Sequence, residues 1–258
     1  DVLSLSMKGD NSNAIAMKDP KRLFGTANQR FFKDIAQNHS HAHDEEPVEY
    51  LYKTLAQTIS SADYIFEKSK FNPTKSEYPK TELGQNLKTI SSLIFSDINT
   101  KVYYLSLGSF DTHINQQAQQ QRLFTELNEA VSAFTKDMKA NNRFDDVLLM
   151  TFSEFGRRPR SNASYGSDHG DAAPMFIFGK GVNPGVIGSV PNLSQLDNGN
   201  IEMQFDYRQV FASIVKDWFQ ADDGAILASR FGEWVDTRLP IISNGVTSTK
   251  EAFLKERF

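Results

Sequence analysis

Asp111 and His113 stand one residue apart in Gly108-Ser109-Phe110-Asp111-Thr112-His113. Glu154 lies in Ser153-Glu154-Phe155-Gly156-Arg157, and Asp168 and His169 adjoin in Ser167-Asp168-His169-Gly170. Imidazoles and carboxylates in a chain with no cysteine form an N/O donor set, suited to zinc, manganese, iron or magnesium. An ion held there would polarise an ester oxygen or activate a water, which is metal-assisted hydrolysis. Arg157, with Arg158 and Arg160 close behind, offers a planar fork for a phosphate or sulfate. Each cluster also has a plainer reading. Asp111 or Thr112 would cap the helix that follows. Glu154 would pair with an arginine, and Asp168-His169-Gly170 would be a turn. Three clusters meeting at one sheet edge favour a shared site. His113 and His169 weigh most, because the chain has five histidines and the other three are bunched at His39, His41 and His43.

That bunch, His39-Ser40-His41-Ala42-His43-Asp44, places alternate imidazoles on one side of an extended segment. No second ligand set follows at a fixed spacing, so it reads as a loop that binds metals adventitiously.

The elements that must position the clusters follow from periodicity. Val2–Met7 alternates apolar and polar residues, as a strand with one buried face does. Residues 18–38 read as one helix holding Phe31, Phe32 and Ile35. Pro47 opens another, with Val48, Leu51, Leu55, Ile59, Ala62 and Ile65 at helical spacing. A further helix begins near Thr81-Glu82 and carries Leu83, Leu87, Ile90 and Ile94. Residues 117–141 form a long one, striped by Leu123, Leu127, Val131, Phe134 and Met138.

The runs at 102–107, 146–152 and 174–178 are nearly all apolar, which suits central parallel strands covered on both faces. The first two, joined by the long helix, form a βαβ unit with both carboxyl ends on one edge. The expected fold is therefore α/β, a mostly parallel central sheet with helices on both faces. Asp206 caps a helix that buries Val210, Phe211, Ile214, Val215 and Trp218. Residues 1–243 read as a single α/β domain and 244–258 as a mobile tail.

Composition narrows the partners. The 258 residues are 39% hydrophobic and 23% charged, with a net charge of -4, and no apolar run is long enough to span a bilayer. No basic run marks a nucleic-acid surface. The start at Asp1 in a strand-like segment, with no leader pattern, reads as a trimmed or processed chain.

Phe110-Asp111-Thr112-His113, the run Thr151–Arg157, the run Ser167–Met175 and Phe205–Phe211 together resemble an exported bacterial family. It is catalogued as domain of unknown function 1501. The resemblance runs over roughly residues 83–220, and the family is regarded as a remote member of the alkaline phosphatase and sulfatase superfamily. That implies an alkaline-phosphatase-like fold, of which this chain is the carboxyl-terminal part. Asp111 and His113 fall on a ligand pair that follows a strand, one residue apart where three is usual. Glu154 and Phe155 fall on the Asp and His of a Ser-Asp-His-Gly signature, so one ligand is replaced by a phenyl ring. His169 falls on a later ligand before a Pro-containing strand, and Asp206 on the head of the closing helix.

The resemblance implies a divalent ion (zinc, manganese or calcium) on Asp111, His113 and His169. Glu154 stands as a further ligand or as a carboxylate that orients a ligand histidine, Asp168 as a further ligand, and Arg157 grips the anion of a small phosphate or sulfate ester. The catalytic nucleophile is expected upstream of this chain, and the location is periplasmic or at the cell surface. The alternative is a non-catalytic exported binding or structural protein that keeps the fold.

Overall fold

The computed structural model describes residues 14–37, 46–70, 72, 74–227, 229, 231–243 and 253–254. The expected strand at Val2–Met7 and the histidines at 39, 41 and 43 lie outside them. The chain divides into two compact units, Asp1–Gly108 with Leu123–Asn141, and Ser109–Arg122 with Asn142–Phe258.

The first unit is helical. Asp19 caps α1 (Pro20–Ala27) by accepting from the Arg22 N–H at 2.7 Å, with proline at the first helical position. The single helix expected over 18–38 is two, because α1 ends at Asn28 and α2 runs Arg30–Gln37. The Asn28 amide bonds the Phe24 carbonyl and the Asp63 carboxylate, which draws the chain out of helical continuation at that point. Phe24 stacks on Phe66 of α3 (Glu46–Ser69) at 4.1 Å. Thr81 caps α4 (Glu82–Phe95), which buries Leu83, Leu87 and Leu93. Helix α5 (Gln116–Ala140) starts in the second unit and continues in the first. There it buries Leu123, Ala130, Val131, Phe134 and Met138 at helical spacing.

One polar group joins that stripe. Asp137, 1% exposed, accepts from Thr74 Oγ1, from Ser76 Oγ at 2.5 Å, from the Tyr78 hydroxyl at 2.9 Å and from the Asn141 amide at 3.2 Å. The Tyr78 hydroxyl also lies 2.6 Å from Ser91 Oγ. Burial is the largest influence on Tyr78 and pushes its pKa upward.

The second unit holds the strands, and they overturn the expected fold class. β1 (Leu149–Met150) pairs antiparallel with β4 (Ile177–Phe178), β2 (Gly156–Ser161) with β3 (Ser167–Gly170), and β5 (Val186–Ile187) with β6 (Phe253–Leu254). Each sheet has two strands. The structure is mainly helical, with short antiparallel ribbons, and is not built on a mostly parallel sheet. Residues 102–107 form no assigned strand, and Val102 and Tyr104 are exposed.

The physical reason is visible in β1 and β4. Met150 and Ile177 pack on the core of Val210, Ile214, Leu239, Ile241 and Ile242, while Phe176 and Phe178 are exposed. A strand covered on one face needs no flanking helix layers, and antiparallel pairing suits it. The helix after Asp206 is α6 (Tyr207–Ser213), continued by a π-turn at Ile214–Trp218. Its start is a full capping box: Asp206 accepts from the Arg208 N–H at 2.8 Å, and the Gln209 amide oxygen accepts from the Asp206 N–H at 2.9 Å. The closing segment is α7 (Asp223–Leu227) and a 3-10 turn at Gly232–Thr237. Among the described residues, no helix is long and apolar enough to cross a membrane.

Candidate metal centre

Asp111, His113 and His169 come together in the second unit, on the loop before α5 and on β3. His169 Nε2 lies 2.7 Å from Asp111 Oδ1, and His113 Nε2 lies 2.9 Å from the same oxygen. Among the described residues, these three form the one group of histidines and carboxylates whose donor atoms all lie within 4.8 Å of one another. Their side chains are about half exposed, at 62% for Asp111, 46% for His113 and 45% for His169.

The local chain explains the placement. Thr112 is turned inward and buried, so Asp111 and His113 point outward together. The tetrapeptide Ser167–Gly170, expected as a turn or strand end, is itself β3, and buries Ser167 and Gly170. Its partner β2 sets Arg157 opposite His169. The hairpin tip between them docks on the segment after His113. The Asn115 and Gln116 N–H groups bond the carbonyls of Ser164 and Tyr165 at 3.1 and 3.0 Å, which supplies the start of α5 with acceptors. Asn162 donates to the His113 carbonyl at 3.0 Å, while its own oxygen accepts from the Ser164 and Gly166 N–H groups. Ser167 donates to the Gln116 side chain at 2.7 Å.

Rings flank the donors. Phe155 stacks on His169 with centroids 3.8 Å apart and planes at 6°, and His113 stacks on the other imidazole at 5.0 Å. The Phe155 ring therefore covers one face of the His169 imidazole. Asp111 titrates below its ordinary value, chiefly because His169 hydrogen-bonds the carboxylate, with the charges of His113, His169 and Arg157 adding to it.

The other expected site residues fall around this trio. Asp168 Oδ1 is 3.9 Å from His113 Nδ1, behind the ring and away from Asp111. Glu154 is exposed and outside the donor group. Arg157 is only 15% exposed; its guanidinium donates to the carbonyls of Ser167 and Phe110 at 2.5 and 2.6 Å and sits 3.5 Å from Asp111 Oδ1. Asn162 and Gly166 were not singled out in the sequence, although Asn and Gly between two short runs are an ordinary turn signal.

Two imidazoles and one carboxylate at the surface define a protein with a candidate three-donor metal site beside an antiparallel hairpin. The chain belongs to the protein family of unknown function DUF1501, whose family model matches residues 67–230 and so includes all three donors. No curated protein and no solved structure matches the chain.

Proposed function

We propose that the chain binds one divalent metal ion through Asp111, His113 and His169, and that it acts as an exported hydrolase of small phosphate or sulfate esters. The observation that carries the reading is the convergence of both Nε2 atoms on one carboxylate oxygen, at 2.7 and 2.9 Å. The donor chemistry fits zinc or manganese better than calcium, which takes six to eight oxygens. Zinc donors lie about 2.0–2.2 Å from the ion, so exposed rings need to open by roughly half an ångström to admit one.

A bound ion supplies Lewis-acid polarisation of an ester oxygen and acidifies a coordinated water. The chain's own residues do the rest. Asp111 supplies the negative charge that offsets part of the ion's. Phe155 and the hairpin hold His169, and Asp168, 3.9 Å from His113 Nδ1, places a negative charge beside that ring. Closed four-ligand cages mark structural zinc sites; three exposed donors leave positions for water and substrate. That favours catalysis over the purely structural alternative. Export rests on the family resemblance alone.

The test is elemental analysis of untagged protein, wild type against His113→Ala/His169→Ala, followed by aryl phosphate and aryl sulfate assays. Near-stoichiometric metal lost in the double variant, with hydrolysis lost in His169→Ala, is expected. Absence of metal from the wild type would overturn the reading. Metal without hydrolysis would leave the binding-protein alternative.

A further inference from the structure

Arg157 lies between the two segments that carry the three donors. Two donors come from the loop at 110–113 and one from β3, and these segments are not paired with each other as strands. The Arg157 fork bridges them. One terminal nitrogen donates to the Phe110 carbonyl, next to Asp111, and the other to the Ser167 carbonyl, two residues before His169. The guanidinium carbon also lies 5.1 Å from the Phe155 ring centre, on the residue that stacks His169. With both terminal nitrogens on protein carbonyls and the side chain mostly buried, this arginine is not presented to solvent as an anion grip. Its neighbours on β2, Arg158 and Arg160, are exposed.

We infer that Arg157 is the positioning residue of the metal centre, a clamp that sets the distance between the Asp111–His113 loop and His169, and that it takes no part in gripping the substrate anion. This rests on the metal reading above. A lysine keeps the charge and most of the stem but lacks the two-pronged planar fork that reaches both carbonyls. Substitutions that misplace ligands in this way typically cost 10- to 100-fold in metal affinity.

The experiment measures zinc affinity by chelator competition for wild type, Arg157→Lys and Arg157→Ala, with and without millimolar methylguanidinium. Circular dichroism confirms that each variant is folded. Wild type that binds no zinc would sink the metal reading itself, before Arg157 is at issue. Given wild-type binding, both variants are expected to lose roughly 10- to 100-fold, and methylguanidinium should restore Arg157→Ala but leave Arg157→Lys unchanged. A merely structural loss would not respond to the added cation. Wild-type affinity in Arg157→Lys, or an affinity loss in folded Arg157→Ala that methylguanidinium does not reverse, would overturn the inference. Should Arg157→Ala not fold, Arg157→Lys decides alone.

Discussion

The phenyl ring of Phe155 lies flat on the imidazole of His169, 3.8 Å between centres and 6° from parallel. A ring pair of this kind is worth about 0.5–1.5 kcal/mol beyond the area it buries. Here it also restricts the plane in which the His169 donor can point. Phe155→Leu keeps an apolar side chain but removes the stack. Zinc affinity is expected to fall roughly 2- to 10-fold, while Phe155→Tyr stays within twofold of wild type. Isothermal titration of the three proteins checks this, and equal affinities would mean that the stack does not orient the ligand.

Gly166 sits where the hairpin tip meets the chain at His113. A Cβ there would fall 2.1 Å from the His113 carbonyl oxygen and 2.2 Å from its carbon, so the tip must move away from the backbone. The Asn162 bond to that same carbonyl is then lost as well. Gly166→Ala should cost about 1–3 kcal/mol in denaturant unfolding, the usual cost of overpacking, and should weaken metal binding at the same time. Unchanged stability would show that the tip relaxes without strain.

How the chain encodes these contacts differs between helices and strands. Leu123, Val131, Phe134 and Met138 bury as the 3.6-residue period requires, and the Asp206 cap forms as its residue type predicts, because both depend on neighbours within a few residues. The apolar runs at 102–107, 146–152 and 174–178 suggest parallel strands, but an apolar run does not encode which segment pairs with it or in which direction. Residues 149–150 pair antiparallel with 177–178, one face on the core, and Thr151 extends the contact by donating to the Phe176 carbonyl at 2.9 Å. The β2–β3 hairpin was missed because Gly-Arg-Arg-Pro-Arg-Ser and Ser-Asp-His-Gly show no apolar alternation. Asp111, His113 and His169 were legible by residue type. Their separation from Glu154, and the bridging geometry of Arg157, depend on that unread hairpin.

Acidification should register at Asp111. Its pKa is lowered in the folded chain, first by the hydrogen bond to His169 and then by the charges of His113, His169 and Arg157. A lowered carboxyl pKa means stability fully present above the ordinary value of 3.8 and lost as pH falls through the lower folded value. In metal-free protein, Asp111→Asn should therefore show a flatter fall of melting temperature than wild type below about pH 4. Calorimetric scans from neutral pH downward make the comparison, and parallel curves would show that this carboxylate gains nothing from its partners.

The first unit offers a test independent of any metal. Asp137 is a buried carboxylate whose hydrogen-bond partners are the hydroxyls of Thr74, Ser76 and Tyr78 and the Asn141 amide; among the described residues it forms no salt bridge. Charge-assisted hydrogen bonds are worth more than neutral ones, and removing the acceptor takes it from the buried Tyr78 hydroxyl and from the half-buried Thr74 and Ser76 hydroxyls. Asp137→Ala is expected to cost about 3 kcal/mol, which for a chain of this size lowers the melting temperature by roughly 6–12 °C. Asp137→Asn should cost about half as much. Its amide oxygen still receives the Ser76 and Asn141 donors, and its NH2 can donate to the Thr74 and Tyr78 oxygens if those hydroxyls rotate. Urea unfolding of the three proteins orders them wild type, Asn, Ala. An alanine variant as stable as wild type would mean that water replaces the carboxylate at no cost, and that the segment from Thr74 to Tyr78 is held on α5 by its apolar contacts.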